Sequence, residues 1–176
     1  HLLMMCGSIG CGPIRELTEE LSLRLAPQQE LTVVCGGNEE LHAKLQKRFG
    51  DDRHMHIHGL VDNVPQLMHS ADLFITKPGG LSTTEAAACG LPMVLMDTVA
   101  GCEGHNLTFF LQRGGAVTAD TPRLLADTAM ALLADPERLW AMSDALRSPD
   151  AQTPAEQIYD CLCRPQTRLD TAQRYA

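Results

Sequence analysis

With 176 residues, 44% of them hydrophobic and 20% charged, the chain has room for one domain with a sizeable core and lacks the polar bias of a disordered segment. Its formal net charge of −8 argues against a nucleic-acid partner, because displacing counterions from phosphates takes a basic face. No apolar run approaches the roughly 18 residues of a membrane-spanning helix, and the start, interrupted by Gly7, Gly10 and Gly12, lacks the basic region of a signal peptide.

The chain opens directly on an apolar run, Leu2–Cys6, which predicts a first strand and leads us to expect an upstream partner domain. A glycine loop follows, then a helix from Pro13 to about Leu25. Pro13 suits a first helical position, and Ile14, Leu17, Leu21 and Leu25 recur on one face. Leu31–Cys35 reads as a second strand, broken by Gly36-Gly37-Asn38, and Leu41, Leu45 and Phe49 mark the next helix. His54–His58 is a third strand, Pro65–Ser70 a short helix and Leu73–Thr76 a fourth strand. Lys77–Leu81 is a second glycine loop before an alanine-rich helix, Ser82–Cys89. Pro92–Met96 is a fifth strand, a loop through Gly101 leads to a helix around Asn106–Gln112, and Gly115–Ala119 is a short sixth strand. Helices at Pro122–Ala134, Pro136–Arg147 and Pro154–Cys163 complete the pattern.

Short strands that are apolar nearly throughout belong to a parallel sheet covered on both faces, and regular strand–helix alternation gives a doubly wound, Rossmann-like α/β fold of about six strands with a helical C-terminal extension. Residues 1–163 form one domain in this reading, and the polar segment 164–176, without apolar periodicity, is a disordered tail. The seven cysteines are odd in number and include no C-x-x-C pair, which fits reduced thiols in a cytoplasmic setting.

In a doubly wound sheet with strand order 3-2-1-4-5-6, ligands sit beyond the carboxyl ends of the first and fourth strands. Both strands run into glycine loops that open helices: Gly7-Ser8-Ile9-Gly10-Cys11-Gly12 and Lys77-Pro78-Gly79-Gly80-Leu81-Ser82. Each offers free backbone N–H groups and a positive helix end to an anion, so the pair points to a phosphorylated ligand. The first loop is not G-x-G-x-x-G, and Val34-Cys35-Gly36 supplies no acid for a dinucleotide ribose, which disfavours NAD. There is no P-loop and no Asp-x-Asp for a metal-held diphosphate. What remains is a metal-free diphosphate site. Glu85 has two readings: partner of an N-capping Ser82 in a capping box, or acceptor of hydrogen bonds from a ribose diol.

The run Ile75-Thr-Lys-Pro-Gly-Gly-Leu-Ser-Thr-Thr-Glu-Ala-Ala-Ala-Cys-Gly-Leu-Pro92 resembles the signature of glycosyltransferase family 28. Within that family the likeness is to the monogalactosyldiacylglycerol synthases and the processive diacylglycerol glucosyltransferases, and at greater distance to the N-acetylglucosaminyltransferase that completes lipid II. Gly7–Ile14, Val33–Leu41 and Gly59–Asp62 look like further family landmarks, in the correct order over residues 2 to 160.

The resemblance implies one half of a GT-B fold: the C-terminal, donor-binding domain of an inverting, UDP-sugar-dependent hexosyltransferase acting on a lipid acceptor. It implies UDP binding by Gly7, Ser8, Gly36, Leu60, Val61, Gly79, Gly80, Leu81, Ser82, Thr83 and Glu85. Glu85 would take the ribose hydroxyls, and the helix start the diphosphate. The segment Gly101–Asn106 matches the family's donor-sugar pattern at Glu103 and Asn106, while Cys102 stands where the family has Gln. This leaves the donor open among UDP-galactose, UDP-glucose and UDP-N-acetylglucosamine. The catalytic base and lipid groove would belong to an absent N-terminal domain, no metal or other cofactor would be needed, and the parent enzyme would sit peripherally at the membrane.

Other residues are set aside. His54, His56 and His58 alternate along one strand and fit a sheet edge better than a metal site. Cys161 and Cys163 diverge on a helix, Asp51-Asp52 is a solvated turn, and His105 is not taken as a base. Lys77 is equally a surface lysine or a phosphate ligand. Three alternative functions remain: the donor subunit of a two-chain N-acetylglucosaminyltransferase, a non-catalytic UDP-sugar-binding module, and a UDP-sugar epimerase.

Overall fold

The strands β1 (Leu2–Met5), β2 (Leu31–Val34), β4 (Leu73–Thr76) and β5 (Met93–Met96) are buried along their whole length. Uniform burial requires cover on both faces, and a computed structural model supplies it. The model describes residues 1–7, 10, 12–96, 102–147 and 154–163. With β3 (Met55–His58) and β6 (Ala116–Ala119), the strands form a six-stranded, all-parallel sheet in the order β3-β2-β1-β4-β5-β6.

Alternation along the strands divides the core in two. Leu2 and Met4 point to the face covered by α1 (Ile14–Ser22), α2 (Glu39–Phe49) and α6 (Pro122–Leu133), where they join Ile14, Leu17, Leu21, Leu45, Leu125 and Ala129. Leu3 and Met5 point to the other face, with Met68 of α3 (Val64–Ser70), Ala86 of α4 (Gly80–Cys89), Phe110 of α5 (Cys102–Arg113) and Leu146 of α7 (Pro136–Arg147). Each buried leucine or methionine contributes on the order of 1.5–3 kcal/mol. A final helix, α8 (Pro154–Cys163), leaves Ile158, Tyr159 and Leu162 exposed.

The expected elements are present with small shifts. Pro13 precedes α1 instead of opening it, and α1 ends at Ser22, although Leu25 still packs on the same core cluster. β3 is an edge strand whose first residue, Met55, is its only fully buried one. His56 Nε2 lies 3.2 Å from Glu30 Oε2, and Arg53 Nε donates to His54 Nε2 at 3.0 Å. The helix expected around Asn106 begins four residues earlier, at Cys102. The segment 164–176 lies outside the described residues.

Candidate functional site

Strands β1 and β4 are neighbours, while β2 and β5 continue the sheet in opposite directions. The order therefore reverses between β1 and β4, and a crevice opens beyond their carboxyl ends. A cavity of about 190 Å³ lies there, lined by Met5, Gly7, Val34, Gly36, Leu60, Val61, Val64 and Ser82. Five of these, Gly7, Gly36, Leu60, Val61 and Ser82, are residues the sequence nominates. Met5 and Val34 were missed, although both are the last residues of apolar strands, close before glycine. Val64 opens α3 and carried no sequence signal. Leu60, at the cavity, is 75% exposed, and Leu81, in the first turn of α4, is 82% exposed. The walls are mainly aliphatic and suit a flat, partly apolar ring.

The start of α4 differs from the sequence expectation. Gly79 takes the cap position in extended backbone, φ −72° and ψ 140°, and the helix begins at Gly80. Ser82 therefore lies within the first turn, and the Ser82–Glu85 capping box does not form. The Thr83 and Thr84 hydroxyls donate to the carbonyls of Gly79 and Gly80, at 2.7 and 2.6 Å, and hold the turn from within. No side chain caps the first turn, and it contains no acid. Its first N–H groups have no hydrogen-bond partner among the described residues, and with the helix-end charge they can receive an anion.

Neither Gly79 nor Gly80 has a positive φ. Among the described residues, a Cβ at Gly79 would come no closer than 3.8 Å to another side chain, and one at Gly80 no closer than 3.9 Å. Neither backbone conformation nor packing against the described residues requires glycine there. Gly10 is the contrast: φ is +57°, and a Cβ would fall 2.3 Å from the carbonyl oxygen of Cys35. Its glycine is explained by close approach to the turn before α2, where Asn38 Nδ2 also donates to the Gly10 carbonyl at 3.3 Å.

Glu85 lies one turn beyond Ser82, on the same helix face by its spacing of three. It is exposed and makes no hydrogen bond or ion pair with the described residues. Leu81 and Thr83 complete the turn, Leu81 outward and Thr83 fully buried. Thr76, the last residue of β4, is also fully buried, and its hydroxyl has no partner among the described residues.

Two donor-sugar candidates meet the second glycine loop. Glu103 Oε1 accepts from Lys77 Nζ at 2.8 Å, and Asn106 Nδ2 donates to the Pro78 carbonyl at 2.9 Å. Cys102 begins α5. Ser8 and Gly101 lie outside the described residues. The other glycine-loop helix, α1, carries Glu16 in its first turn. The Glu16 carboxyl is held below its ordinary range by its own backbone N–H and by Arg15 Nη2 at 3.0 Å. An acid there weakens α1 as an anion site and makes α4 the stronger of the two. Burial pushes the Cys35 thiol up to about 11, so it stays protonated at neutral pH. His105 is exposed. Among the described residues, no group of three or more His, Cys, Asp or Glu is placed to hold a metal ion.

A second cavity, of about 360 Å³, lies at the opposite, amino end of β4 and β5. It is lined by residues including Asp72, Pro92, Trp140 and Arg147. None of the nominated residues lines it, and no glycine loop opens a helix toward it.

A family model described as glycosyl transferases group 1 matches residues 2–135. The processive diacylglycerol β-glucosyltransferase of Bacillus cereus strain B4264 is 36% identical over 166 residues, covering 92% of this chain and 42% of the relative. The chain thus spans about two-fifths of the length of the curated relatives it matches. That relative carries one of the names suggested by the Ile75–Pro92 run. Among solved structures, Acinetobacter baumannii MurG superposes with a TM-score of 0.70 at 21% identity, covering 91% of this chain and 48% of that one. Anabaena HepE in complex with UDP-glucose gives 0.62 at 20% identity, covering 84% and 43%.

Proposed function

Because the chain belongs to the group 1 glycosyl transferases, we propose that it is the donor-binding half of an inverting hexosyltransferase that uses a UDP-sugar and glycosylates a lipid hydroxyl. The observation that carries the proposal is the start of α4: two glycines that neither φ nor packing against the described residues demands, in a first turn with no side-chain cap from its N-cap residue and no acid of its own. A ligand's need for close approach to the backbone accounts for them. The likeness to a diacylglycerol glucosyltransferase supports the lipid acceptor.

In this reading the diphosphate lies on the N–H groups of Gly80, Leu81 and Ser82, with Gly79 and Thr83 shaping the turn and Gly7 and Ser8 facing it from the first loop. The uracil enters the aliphatic cavity between Gly36, Leu60 and Val61. Glu85 accepts hydrogen bonds from the ribose diol, and Cys102, Glu103 and Asn106 flank the hexose. The acceptor oxygen attacks the anomeric carbon from the face opposite the diphosphate. The bond to the diphosphate oxygen breaks, the configuration inverts, and UDP leaves with the electron pair. The amides of α4 are fixed in place before that charge develops, so they stabilise it with little reorganisation and take the role a metal ion has in other transferases. The acceptor groove and the base that removes the acceptor proton are assigned to a separate domain, which would also hold the enzyme peripherally at a cytoplasmic membrane face.

Calorimetry of this chain with UDP, UDP-glucose, UDP-galactose and UDP-N-acetylglucosamine tests the donor site. Binding of UDP with a preference among the hexoses is expected; no binding of any of them would overturn the proposal. A transfer assay with the same chain is expected to show no turnover, and turnover would overturn the assignment of the base to another domain.

A further inference from the structure

We propose that the Lys77–Glu103 ion pair is an exchange latch that donor binding opens, with the Lys77 ammonium passing from the Glu103 carboxylate to the diphosphate. The inference rests on the donor-site reading above and adds the group that neutralises the leaving diphosphate. Three observations place Lys77 for this role. Its side chain stands between the two glycine loops: Cε lies 3.4 Å from the position of a Cβ on Gly7 and 3.8 Å from one on Gly79. Its Nζ donates to Glu103 Oε1 at 2.8 Å, across 26 residues of sequence. That same carboxylate oxygen lies 3.8 Å from the Cβ position of Gly79, beside the start of α4. The Glu103 carboxylate thus stands next to the helix start, held there by Lys77.

A diphosphate and a carboxylate cannot both occupy that position without strong repulsion. The sequence provides each partner with an alternative. Glu103 lies in the first turn of α5, where the helix end stabilises its charge after Lys77 leaves. Its oxygens are then available to accept hydrogen bonds from hexose hydroxyls. Lys77 gains a diphosphate in place of the Glu103 carboxylate. At 36% and 28% side-chain exposure, the pair is accessible enough to open without disturbing the core. It follows that UDP alone leaves Glu103 uncompensated beside a diphosphate, whereas a UDP-hexose supplies the hydroxyls that satisfy it.

The test is calorimetry of the 176-residue chain and its K77M, E103Q and K77M/E103Q variants with UDP and UDP-glucose. Removing the competing anion in E103Q is expected to tighten UDP about two- to fivefold, the equilibrium worth of a part-exposed ion pair. The same variant is expected to lose the advantage of UDP-glucose over UDP. K77M is expected to weaken both ligands about tenfold, as for loss of a charge-assisted hydrogen bond. In the double variant the part of the gain that comes from freeing Lys77 is gone and only relief of the Glu103–diphosphate repulsion remains, so the two single effects are not additive. A structural bridge would give the opposite sign for E103Q, because loosening the loop weakens every ligand. If the parent chain binds UDP but E103Q fails to tighten it, or K77M leaves it unchanged, the latch is refuted and the donor site stands. If the parent chain does not bind UDP, both fall.

Discussion

Replacing Gly80 with alanine separates a glycine kept for folding from one kept for a ligand. Gly80 is the first residue of α4, exposed, with an ordinary helical-side φ, and a Cβ there would meet Asn106 Nδ2 at 3.9 Å, a normal contact. Substitution at such a position restricts the unfolded chain and strains nothing, so Gly80→Ala is expected to stabilise the fold by about 0.4–1 kcal/mol. For a chain of this size that raises Tm by about 1–4 °C. The Gly80 amide is one of those assigned to the diphosphate, so a methyl group on its Cα is expected to hinder close approach of that anion. Loss of one charge-assisted hydrogen bond there is worth about 1.5–3 kcal/mol, a weakening of UDP by about 10- to 100-fold. Differential scanning fluorimetry and calorimetry on one preparation read both effects. A more stable variant that binds UDP as the parent does would refute the reasoning, because the glycine would then serve neither role.

Glu85→Gln is expected to leave Tm unchanged, since the carboxylate is exposed and makes no hydrogen bond or ion pair with the described residues, while weakening UDP about tenfold in the same calorimetric assay. Gly10→Ala is expected to cost at least about 2 kcal/mol by denaturant unfolding, from its left-handed φ and the backbone carbonyl a Cβ would strike. Thr76→Val keeps the side-chain shape and removes a buried hydroxyl that has no partner among the described residues, so stability is expected to rise by about 1 kcal/mol; a fall on urea unfolding would show that the hydroxyl is satisfied. Burial, with His56 and His42 nearby, holds His58 below the ordinary imidazole range. Its contribution to stability is therefore present above about pH 6.5 and is lost as pH falls, when the unfolded chain takes up a proton that the folded one resists. His58→Gln is expected to lose less Tm than the parent between about pH 7 and pH 5, and an equal loss would contradict this assignment.

The sheet was legible because its strands are short apolar runs ended by turn residues. Leu2–Met5, Leu31–Val34 and Met93–Met96 need no partner information to be recognised as covered on both faces. Helix starts were harder. Ser82 looked like a cap by residue type, but the cap is Gly79, whose extended backbone leaves no trace in sequence. The first turn of α5, Cys102-Glu103-Gly104-His105, has no apolar rhythm. Long-range contacts accompany it there, Glu103 with Lys77 and Asn106 with Pro78. Such a pairing across 26 residues has no local signal, which is why Lys77 could be read equally as surface or as site. Gly10 and Gly80 are alike in sequence as members of glycine loops, and only the fold separates the one fixed by a neighbouring carbonyl from the one that meets no close neighbour among the described residues.

The most direct measurement is an amide chemical-shift titration of the isotopically labelled chain with UDP. The account predicts the largest, saturable shifts at Gly7, Val61, Gly79, Gly80 and Ser82, with the amides around Trp140 and Arg147 at the far end of the sheet unmoved. Shifts centred on that far cavity, or none at the start of α4, would contradict it.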